Sequence, residues 1–347
     1  MEMLSFENDY LQGCHEKILE ALQRTNMEKL SGYGQDVYCE SAKEKIKKAI
    51  DSDDHEIFFL TGGTQTNQIV IDTMLDSYEG VISADTGHIN CHEAGAIEYT
   101  GHKVFSIPQS IGKIDFEALK TLITLFENDK NNSHMVKPSL LYISHPTEYG
   151  TLYTRDEFET ISNYCHLHGI RVYLDGARLG YGLASFSSDL TLPDIARLCD
   201  AFYIGLTKVG ALCGEAVVIK KDCVPNAFFT KIKQHGALLA KGRVLGIQFD
   251  TMFTDDLYFN ISRHAIVMAE KLKDVFKKRG FDFYIDSPTN QIFVIIDNAI
   301  YDSLYEKVRF CYWEPFGNHK TVVRFATSWA TTDEDIERLE KILDDIK

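Results

Sequence analysis

Short runs of consecutive apolar residues alternate with helical patterns along the first 220 residues of the chain. The runs EIFFLTGG (56–63), SLLYISHP (139–146) and IRVYLDGA (170–177) are typical, and the segments 92–101 and 114–129 have helical patterns. Apolar strands of this kind are buried on both faces, and helices between them allow neighbouring strands to run parallel. The pattern predicts an α/β fold with a mostly parallel sheet, in which a ligand binds beyond the carboxyl ends of the strands.

The pattern changes after about residue 225. An amphipathic segment at 260–280 is followed by three strand-like runs and a final helix, TDEDIERLEKILDDIK, whose first turn is acidic. We therefore expect three parts in a chain of this length, namely an N-terminal segment (1–50), a large domain (51–250) and a small C-terminal α+β domain (251–347).

Composition disfavours several classes of protein. The formal net charge of −15 would repel a phosphate backbone, so no nucleic-acid partner is expected. The chain has no run of 18 apolar residues that could span a membrane, and its start does not resemble a signal peptide. The eight cysteines are scattered without a CxxC motif, which predicts reduced thiols, a cytoplasmic location and no metal site.

Two strand ends carry residues with distinctive chemistry. The turn Gly62-Gly63-Thr64 joins a strand to a helix, where backbone N–H groups bind anions, although a tight turn would need the same glycines. Lys208 follows another apolar strand and is the only charged residue between Asp200 and Glu215. Such a lysine loses hydration, so its pKa falls and its neutral amine can act as a nucleophile. The alternative is a lysine whose amine extends to solvent.

The strand RVYLD ends in Asp175, and Arg178 follows three residues later. A carboxylate at a strand end can pair with a protonated ring nitrogen, and an arginine can bind a carboxylate through two hydrogen bonds. An ion pair between Asp175 and Arg178 is the alternative. Together with the glycine turn and Lys208, this aspartate indicates pyridoxal 5'-phosphate, which has a phosphate, an aldehyde and a ring nitrogen.

Several motifs resemble, in their order and spacing, the threonine aldolase and aromatic amino-acid β-eliminating lyase family. They are GYGQDVYCE (32–40), GGTQTNQ (62–68), ADTGHINCHEAGAIE (84–98), DGAR (175–178), LTKVG (206–210), KGRVLG (241–246) and VRFATSWATT (323–332). The resemblance covers nearly the whole chain and implies a fold-type I pyridoxal-phosphate enzyme with a seven-stranded sheet. It also implies a homodimer or homotetramer with shared active sites, in which residues 1–50 contribute to the site and the interface.

The resemblance implies a role for each matching residue. Lys208 would bind pyridoxal phosphate covalently, Asp175 would pair with its ring nitrogen, and His88 would stack on the ring. The other implied contacts are to the phosphate, by Gly63, Thr64, Gln65 and, from a second subunit, Arg243, and to the substrate carboxylate, by Asn8, Arg178 and Arg324. A helix cap for His88 and a surface ion pair for Arg243 are the alternatives.

One motif departs from the family pattern. Many threonine aldolases have Asn-Thr-His-Asn after the strand that precedes DGAR, whereas this chain has SHPTEYG at 144–150. Thr147 then stands where the family has a histidine near the substrate β-hydroxyl, and His145 is close only in sequence. We expect His88 to act as the base.

The expected reaction is the cleavage of a β-hydroxy amino acid of the threonine, allo-threonine or phenylserine type. Its products would be glycine and an aldehyde. The alternatives are β-elimination, which would release pyruvate and ammonia, and a non-catalytic scaffold of the same fold.

Overall fold

The computed structural model describes residues 3–346. Its strands are β1 (Leu4–Ser5), β2 (His55–Leu60), β3 (Glu79–Ala84), β4 (Lys103–Ile107), β5 (Gln109–Ser110), β6 (Lys113–Ile114), β7 (Lys137–Ser144), β8 (Arg171–Asp175), β9 (Ala201–Gly205), β10 (Glu215–Lys220), β11 (Asp282–Ile285), β12 (Gln291–Asp297), β13 (Val308–Arg309), β14 (Cys311–Phe316) and β15 (Lys320–Ala326).

The α-helices are α1 (Glu16–Thr25), α2 (Val37–Ala49), α3 (Gly63–Met74), α4 (His88–Cys91), α5 (Ala96–Tyr99), α6 (Phe116–Asn128), α7 (Arg155–Leu167), α8 (Leu179–Ala184), α9 (Leu192–Leu198), α10 (Phe228–Gln234), α11 (Arg243–Met252), α12 (Leu257–Lys278), α13 (Asn298–Tyr305) and α14 (Asp333–Asp344). Short 3-10 helices lie at Asn132–His134 and Lys221–Cys223. No helix between residues 3 and 346 is long and apolar enough to cross a membrane.

A seven-stranded sheet forms the centre of the fold, in the order β2-β10-β9-β8-β7-β3-β4. β10 runs antiparallel to both of its neighbours, and the other six strands run in one direction. The mostly parallel α/β sheet predicted from the sequence is therefore confirmed. The carboxyl ends of the six strands meet at one edge, and β10 begins at the same edge because its direction is reversed.

Apolar layers cover both faces of this sheet. Within β8, Val172 and Leu174 belong to one buried cluster and Tyr173 belongs to the other. Successive side chains of a strand point to opposite faces, so a strand buried on both faces needs an uninterrupted apolar run. This explains the composition of the strand-like runs in the sequence.

A second sheet, with the order β11-β12-β15-β14, is antiparallel and lies in the C-terminal part of the chain. The N-terminus reaches this region, because β1 pairs with β13 and both Leu4 and Phe6 are buried in the same apolar cluster as β12 and β15. The pairing brings the N-terminal segment to the carboxyl edge of the larger sheet, where Asp9 accepts hydrogen bonds from Arg178, which follows β8, and from Asn290, which precedes β12.

Candidate active site

A cavity with about 520 Å³ of empty space, part of which is open to solvent, lies at the edge where the parallel strands end. Residues that follow five different strands line it: Gly63, His88, Glu148, Arg178 and Lys208. A more open cavity of about 1190 Å³ adjoins it, since all of these residues except Gly63 line both. The fold thus brings the predicted strand-end residues to one place, as expected for a parallel sheet.

Asp175 is the last residue of β8, and its buried carboxylate has four hydrogen-bond donors. Oδ1 accepts from the hydroxyl of Tyr203 (2.5 Å) and the N–H of Ala177 (3.0 Å). Oδ2 accepts from the hydroxyl of Tyr142 (2.6 Å) and the amide of Asn67 (2.9 Å). Burial favours the protonated acid, but a nearby imidazole and these donors outweigh burial, so the pKa of Asp175 is lowered.

His88 belongs to the same hydrogen-bond network. Its Nδ1 lies 2.7 Å from Oε1 of Glu93, and the amide of Asn67 donates to both Glu93 and Asp175. Burial opposes the charged imidazolium, but the hydrogen bond to Glu93 and the nearby carboxylates of Glu148 and Asp175 outweigh burial and raise the pKa of His88. The imidazole is therefore held in a fixed position relative to the carboxylate of Asp175.

Lys208 lies just beyond β9 and lines both cavities. Its amine makes no hydrogen bond or ion pair with another side chain of residues 3–346. Burial and the positive charge of Arg178 lower the pKa of Lys208, which is the direction expected from the sequence. An amine with these properties can react with a carbonyl group.

Arg178 is paired with Asp9. Nε and Nη2 donate to the two carboxylate oxygens of Asp9, at 2.6 and 3.0 Å, and the amide of Asn290 adds a third hydrogen bond at 2.9 Å. Burial opposes ionisation of Asp9, but Arg178 and Lys208 lower its pKa to about 2. The alternative ion pair between Asp175 and Arg178 is therefore wrong. Nη1 of Arg178 is not used by the pair with Asp9.

Arg324 is a mid-strand residue of β15 that lines the larger cavity. Nη1 donates to the side-chain oxygen of Gln291 at 3.0 Å, and the guanidinium lies over the ring of Trp313. Its buried Nε has no hydrogen-bond partner in the described chain, and burial together with Arg178 lowers the pKa of Arg324. A half-buried arginine that is paired only with neutral groups favours the binding of an anion.

The glycine turn places the start of α3 at the smaller cavity. A Cβ at Gly63 would lie 3.2 Å from the hydroxyl oxygen of Tyr203, so glycine leaves space there. The Gln65 side chain accepts from the hydroxyl of Thr61 at 2.7 Å and steadies the turn, while Thr64 is exposed. The first N–H groups of a helix have no acceptor within the helix, so this turn can bind an anion.

Asn8 and Arg243 line neither cavity. The side-chain oxygen of Asn8 accepts from the N–H of Tyr10 at 3.0 Å. Arg243, at the start of α11, donates to the backbone carbonyls of Thr25 and Glu28, the latter at 2.8 Å. Their assignment to the substrate carboxylate and to the phosphate of a second subunit stays a prediction.

Thr147 and His145, which the sequence pattern suggested near the substrate, do not line the smaller cavity. Thr147 is buried against the hydroxyl of Thr151 at 2.7 Å. His145 is also buried, neither ring nitrogen has a partner within the described residues, and burial lowers its pKa to about 4. Ser144, the last residue of β7, and Glu148, in the loop, line the smaller cavity instead, and the hydroxyl of Ser144 donates to the carboxylate of Glu148 at 3.3 Å.

Sequence reasoning missed several members of this network. Tyr142 and Tyr203 lie inside apolar strands, and their only signal is that a buried tyrosine hydroxyl needs a partner. Glu93 lies within a quoted motif, five residues after His88, but nothing in the sequence marks it as the acceptor of that imidazole. Nothing in the sequence around Asp9 marks it as the partner of Arg178.

Comparisons with known proteins identify the family and the fold of this chain. Residues 8–299 match the family model described as "Beta-eliminating lyase". A solved structure of a threonine aldolase from Leishmania major is 42% identical, with a TM-score of 0.94 and coverage of 98% of both chains. The low specificity L-threonine aldolase of Pseudomonas aeruginosa is 26% identical over 99% of this chain and 96% of that protein. An aspartate aminotransferase of Thermus thermophilus is similar in fold alone, with 13% identity, a TM-score of 0.72, and coverage of 100% of this chain and 92% of the other.

Proposed function

Since the chain belongs to the beta-eliminating lyase family, we propose that it cleaves a β-hydroxy amino acid of the threonine, allo-threonine or phenylserine type to glycine and an aldehyde. The family and its fold, that of the fold-type I enzymes, depend on pyridoxal phosphate. The observation that carries the proposal is the presence in one cavity of the unpaired amine of Lys208 and the buried, fully hydrogen-bonded carboxylate of Asp175.

The residues of the smaller cavity fit each part of pyridoxal phosphate. We assign covalent attachment of the aldehyde to Lys208 and recognition of the protonated ring nitrogen to Asp175. His88 would pack on one face of the ring, where Glu93 fixes its orientation. Gly63 and its neighbours Thr64 and Gln65 would bind the phosphate through the first turn of α3.

When bound, pyridoxal phosphate supplies a conjugated ring that accepts the electron pair left on Cα as the Cα–Cβ bond breaks. The part that Asp175 plays is electrostatic. Its carboxylate would hold a proton on the ring nitrogen. The nearby imidazole of His88 keeps that carboxylate ionised in spite of its burial, and the hydrogen bonds from Tyr142, Tyr203 and Asn67 add to this effect.

The substrate carboxylate would bind between Arg178 and Arg324 in the larger cavity. Asp9 fixes the guanidinium plane of Arg178 and leaves Nη1 available, and Arg324 contributes an Nε–H with no protein acceptor. Asn8, next to Asp9 in the chain, is a further candidate. Two fixed guanidinium groups orient the amino acid, which decides which bond at Cα is cleaved.

Replacement of Arg324 by glutamine should raise KM and lower kcat/KM by about 10- to 100-fold, because a hydrogen bond to a charged group contributes about 1.5–3 kcal/mol. Steady-state kinetics with phenylserine measure this loss. The amino alcohol analogue of phenylserine, in which a hydroxymethyl group replaces the carboxylate, serves as an inhibitor. Because it lacks the carboxylate, it should bind wild type and variant equally well. Arg309→Gln removes a guanidinium outside both cavities and is the control. An equal loss of affinity for the amino alcohol would contradict the assignment.

We assign the base that takes the β-hydroxyl proton to His88. Neutral imidazole is the competent form, so the rate should rise with pH as His88 loses its proton. The raised pKa of His88 places this rise at a higher pH than an unperturbed histidine would.

Replacement of Glu93 by glutamine should lower the pKa of His88, because the imidazolium loses a charged acceptor. The acidic limb of the pH profile of kcat/KM should then move to lower pH, while the maximal rate changes by less than about tenfold. The exposed neighbour Glu98 provides the control Glu98→Gln, which should leave the profile unchanged. A profile that also stays in place for Glu93→Gln would reject His88 as the titrating group.

We also propose a homodimer or homotetramer in the cytoplasm. Arg243 lines neither cavity of its own chain, which is compatible with a contact across an interface to the phosphate of a second subunit. The cytoplasmic location is proposed from the scattered cysteines of the sequence, which form no CxxC motif.

A product assay tests the function. The purified protein, supplied with pyridoxal phosphate, is incubated separately with threonine, allo-threonine, phenylserine and amino acids that carry a β-leaving group. Glycine and an aldehyde from the first three are the expected products. Pyruvate and ammonia from the last group alone would establish β-elimination, and no product from any of them would favour the non-catalytic scaffold.

A further inference from the structure

Glu215 is a buried acid that the proposed reaction does not use. It is the first residue of the reversed strand β10, and its backbone pairs with Leu60 on one side and Gly205 on the other. Leu60 comes just before the glycine turn, and Gly205 comes just before Thr207 and Lys208. Glu215 therefore lies between the segment that begins α3 and the segment that carries the reactive amine.

The side chain of Glu215 faces the smaller of the two cavities. It lines that cavity together with Gly63, Thr207 and Lys208, although only 3% of its surface is exposed. Val217, two residues further along β10, is in the apolar layer that α3 covers, and alternation along the strand places Glu215 on the same face. The carboxyl group thus lies on the side of the sheet where α3 begins.

The hydrogen bonds of Glu215 contrast with those of Asp175. Oε1 accepts one hydrogen bond, from the hydroxyl of Thr207 at 2.7 Å, and the buried Oε2 has no partner among residues 3–346. No ion pair joins Glu215 to Lys208 within the described chain. A buried ionised carboxylate with a single neutral donor is strongly disfavoured.

The proton on Glu215 is retained to higher pH than in an ordinary glutamate. Burial raises the pKa of Glu215 to about 8, and the hydrogen bond from Thr207 and the charge of Lys208 only partly oppose burial. Near neutral pH the group is a neutral carboxylic acid, whose unpaired Oε2 has a hydrogen to donate.

We propose that Glu215 is a phosphate-binding residue, whose neutral carboxyl group donates a hydrogen bond from Oε2 to the phosphate held at the start of α3. This inference rests on the proposed function, since it needs pyridoxal phosphate in the cavity. An ionised carboxylate at this position would repel a phosphate dianion, whereas a carboxylic acid adds a donor to the N–H groups of α3. The affinity for the cofactor should therefore depend on the protonation of Glu215.

Binding titrations with pyridoxal phosphate and with pyridoxal test this inference. Both ligands react with Lys208, so the protonation of that amine affects them alike, but only the first has a phosphate. Because one proton is linked to binding, with a pKa of about 8, the wild-type affinity for pyridoxal phosphate should fall about tenfold more than that for pyridoxal between about pH 7 and about pH 9.

The variant Glu215→Gln keeps a neutral donor at all these pH values. It should bind pyridoxal phosphate within about threefold of wild type near neutral pH, and the additional fall in affinity above pH 8 should disappear. Glu56→Gln, an exposed position on the neighbouring strand β2, removes one charge elsewhere and should keep the wild-type pH dependence.

Three results would overturn the inference. In the first, the affinity of Glu215→Gln for pyridoxal phosphate has the same pH dependence as that of wild type. In the second, the wild-type affinity for pyridoxal falls with pH as much as the affinity for pyridoxal phosphate. In the third, Glu215→Gln does not bind pyridoxal phosphate near neutral pH. If thermal melting shows that Glu215→Gln is unfolded, the inference is tested by the titrations of wild-type protein with pyridoxal phosphate and with pyridoxal. A wild-type protein that binds neither ligand at any pH would overturn the proposed function as well.

Discussion

Replacement of Lys208 by alanine should abolish the visible absorption band that pyridoxal phosphate forms with the protein and lower the rate of aldol cleavage by at least about 10³-fold. The amine of Lys208 lies in the cavity and has no hydrogen bond or ion pair with a side chain among residues 3–346. Its lowered pKa, caused by burial and by Arg178, increases the fraction that is neutral and can attack an aldehyde. Alanine removes that nucleophile without adding bulk to the cavity.

Absorption spectra and product assays measure the effect of Lys208→Ala. Lys113→Ala is the control, because Lys113 forms a surface ion pair with Glu157 and lines neither of the two cavities. The control should keep both the absorption band and the activity. A Lys208→Ala protein that keeps the band would place the cofactor on a different lysine.

Replacement of Asp175 by asparagine should leave the cofactor bound but lower kcat by about 10²- to 10⁴-fold, since loss of one partner of a buried charge pair costs about 3–5 kcal/mol. Lys208 still attaches the cofactor, so the absorption band should persist. The amide cannot hold a proton on the ring nitrogen, and the electron sink is weakened. The hydroxyls of Tyr142 and Tyr203 would then face a neutral group in place of a carboxylate.

The matched control for this substitution is Asp200→Asn. Asp200 is also a buried carboxylate, hydrogen-bonded to His166 and to the N–H of Val172, but it precedes β9 at the opposite edge of the sheet. The substitution Asp200→Asn should lower the stability of the protein and leave kcat nearly unchanged once the protein is saturated with cofactor. If Asp175→Asn turned over substrate at the wild-type rate, the role of Asp175 at the ring nitrogen would be rejected.

The sequence could predict the part of the site that follows the parallel strands. Gly63, His88, Lys208 and the segment from Asp175 to Arg178 come from distant parts of the chain, but each lies at or just after the end of a strand whose apolar run is evident. The strands of a parallel sheet end at one edge, so the residues after them meet there. This physical rule, together with the resemblance to a family, was sufficient for these positions.

Residues that reach the site by other routes were not predictable. Asp9 binds Arg178 from 169 positions away, because pairing of β1 with β13 holds the N-terminal segment near the larger sheet. Glu215 lines the cavity from the first position of the reversed strand β10, whereas the sequence pattern draws attention only to residues at the carboxyl ends of strands. Such contacts depend on tertiary packing and leave no local pattern in the sequence.

Two local predictions were wrong for identifiable reasons. The single helix predicted over 92–101 is broken, because Ala94 and Gly95 adopt left-handed φ values of 52° and 73° before α5 begins. The C-terminal sheet has four strands where three were predicted. The missed strand, β14, contains Pro315 and a register shift between Tyr312 and Glu314, which obscures the alternation of an ordinary strand.

The division of the chain at residues 50 and 250 stays a prediction. The N-terminal strand β1 pairs with the C-terminal region and not with the larger sheet. Limited proteolysis around residue 250 would test whether the large and small parts separate as units.

Chemical mapping of the attachment site tests the central claim most directly. Wild-type protein is incubated with pyridoxal phosphate, reduced with borohydride so that the covalent link becomes permanent, digested, and analysed by mass spectrometry. The account predicts one modified peptide, with the cofactor mass on Lys208, and its loss when a β-hydroxy amino acid is added before reduction. A modification spread over surface lysines, with Lys208 unmodified, would contradict it.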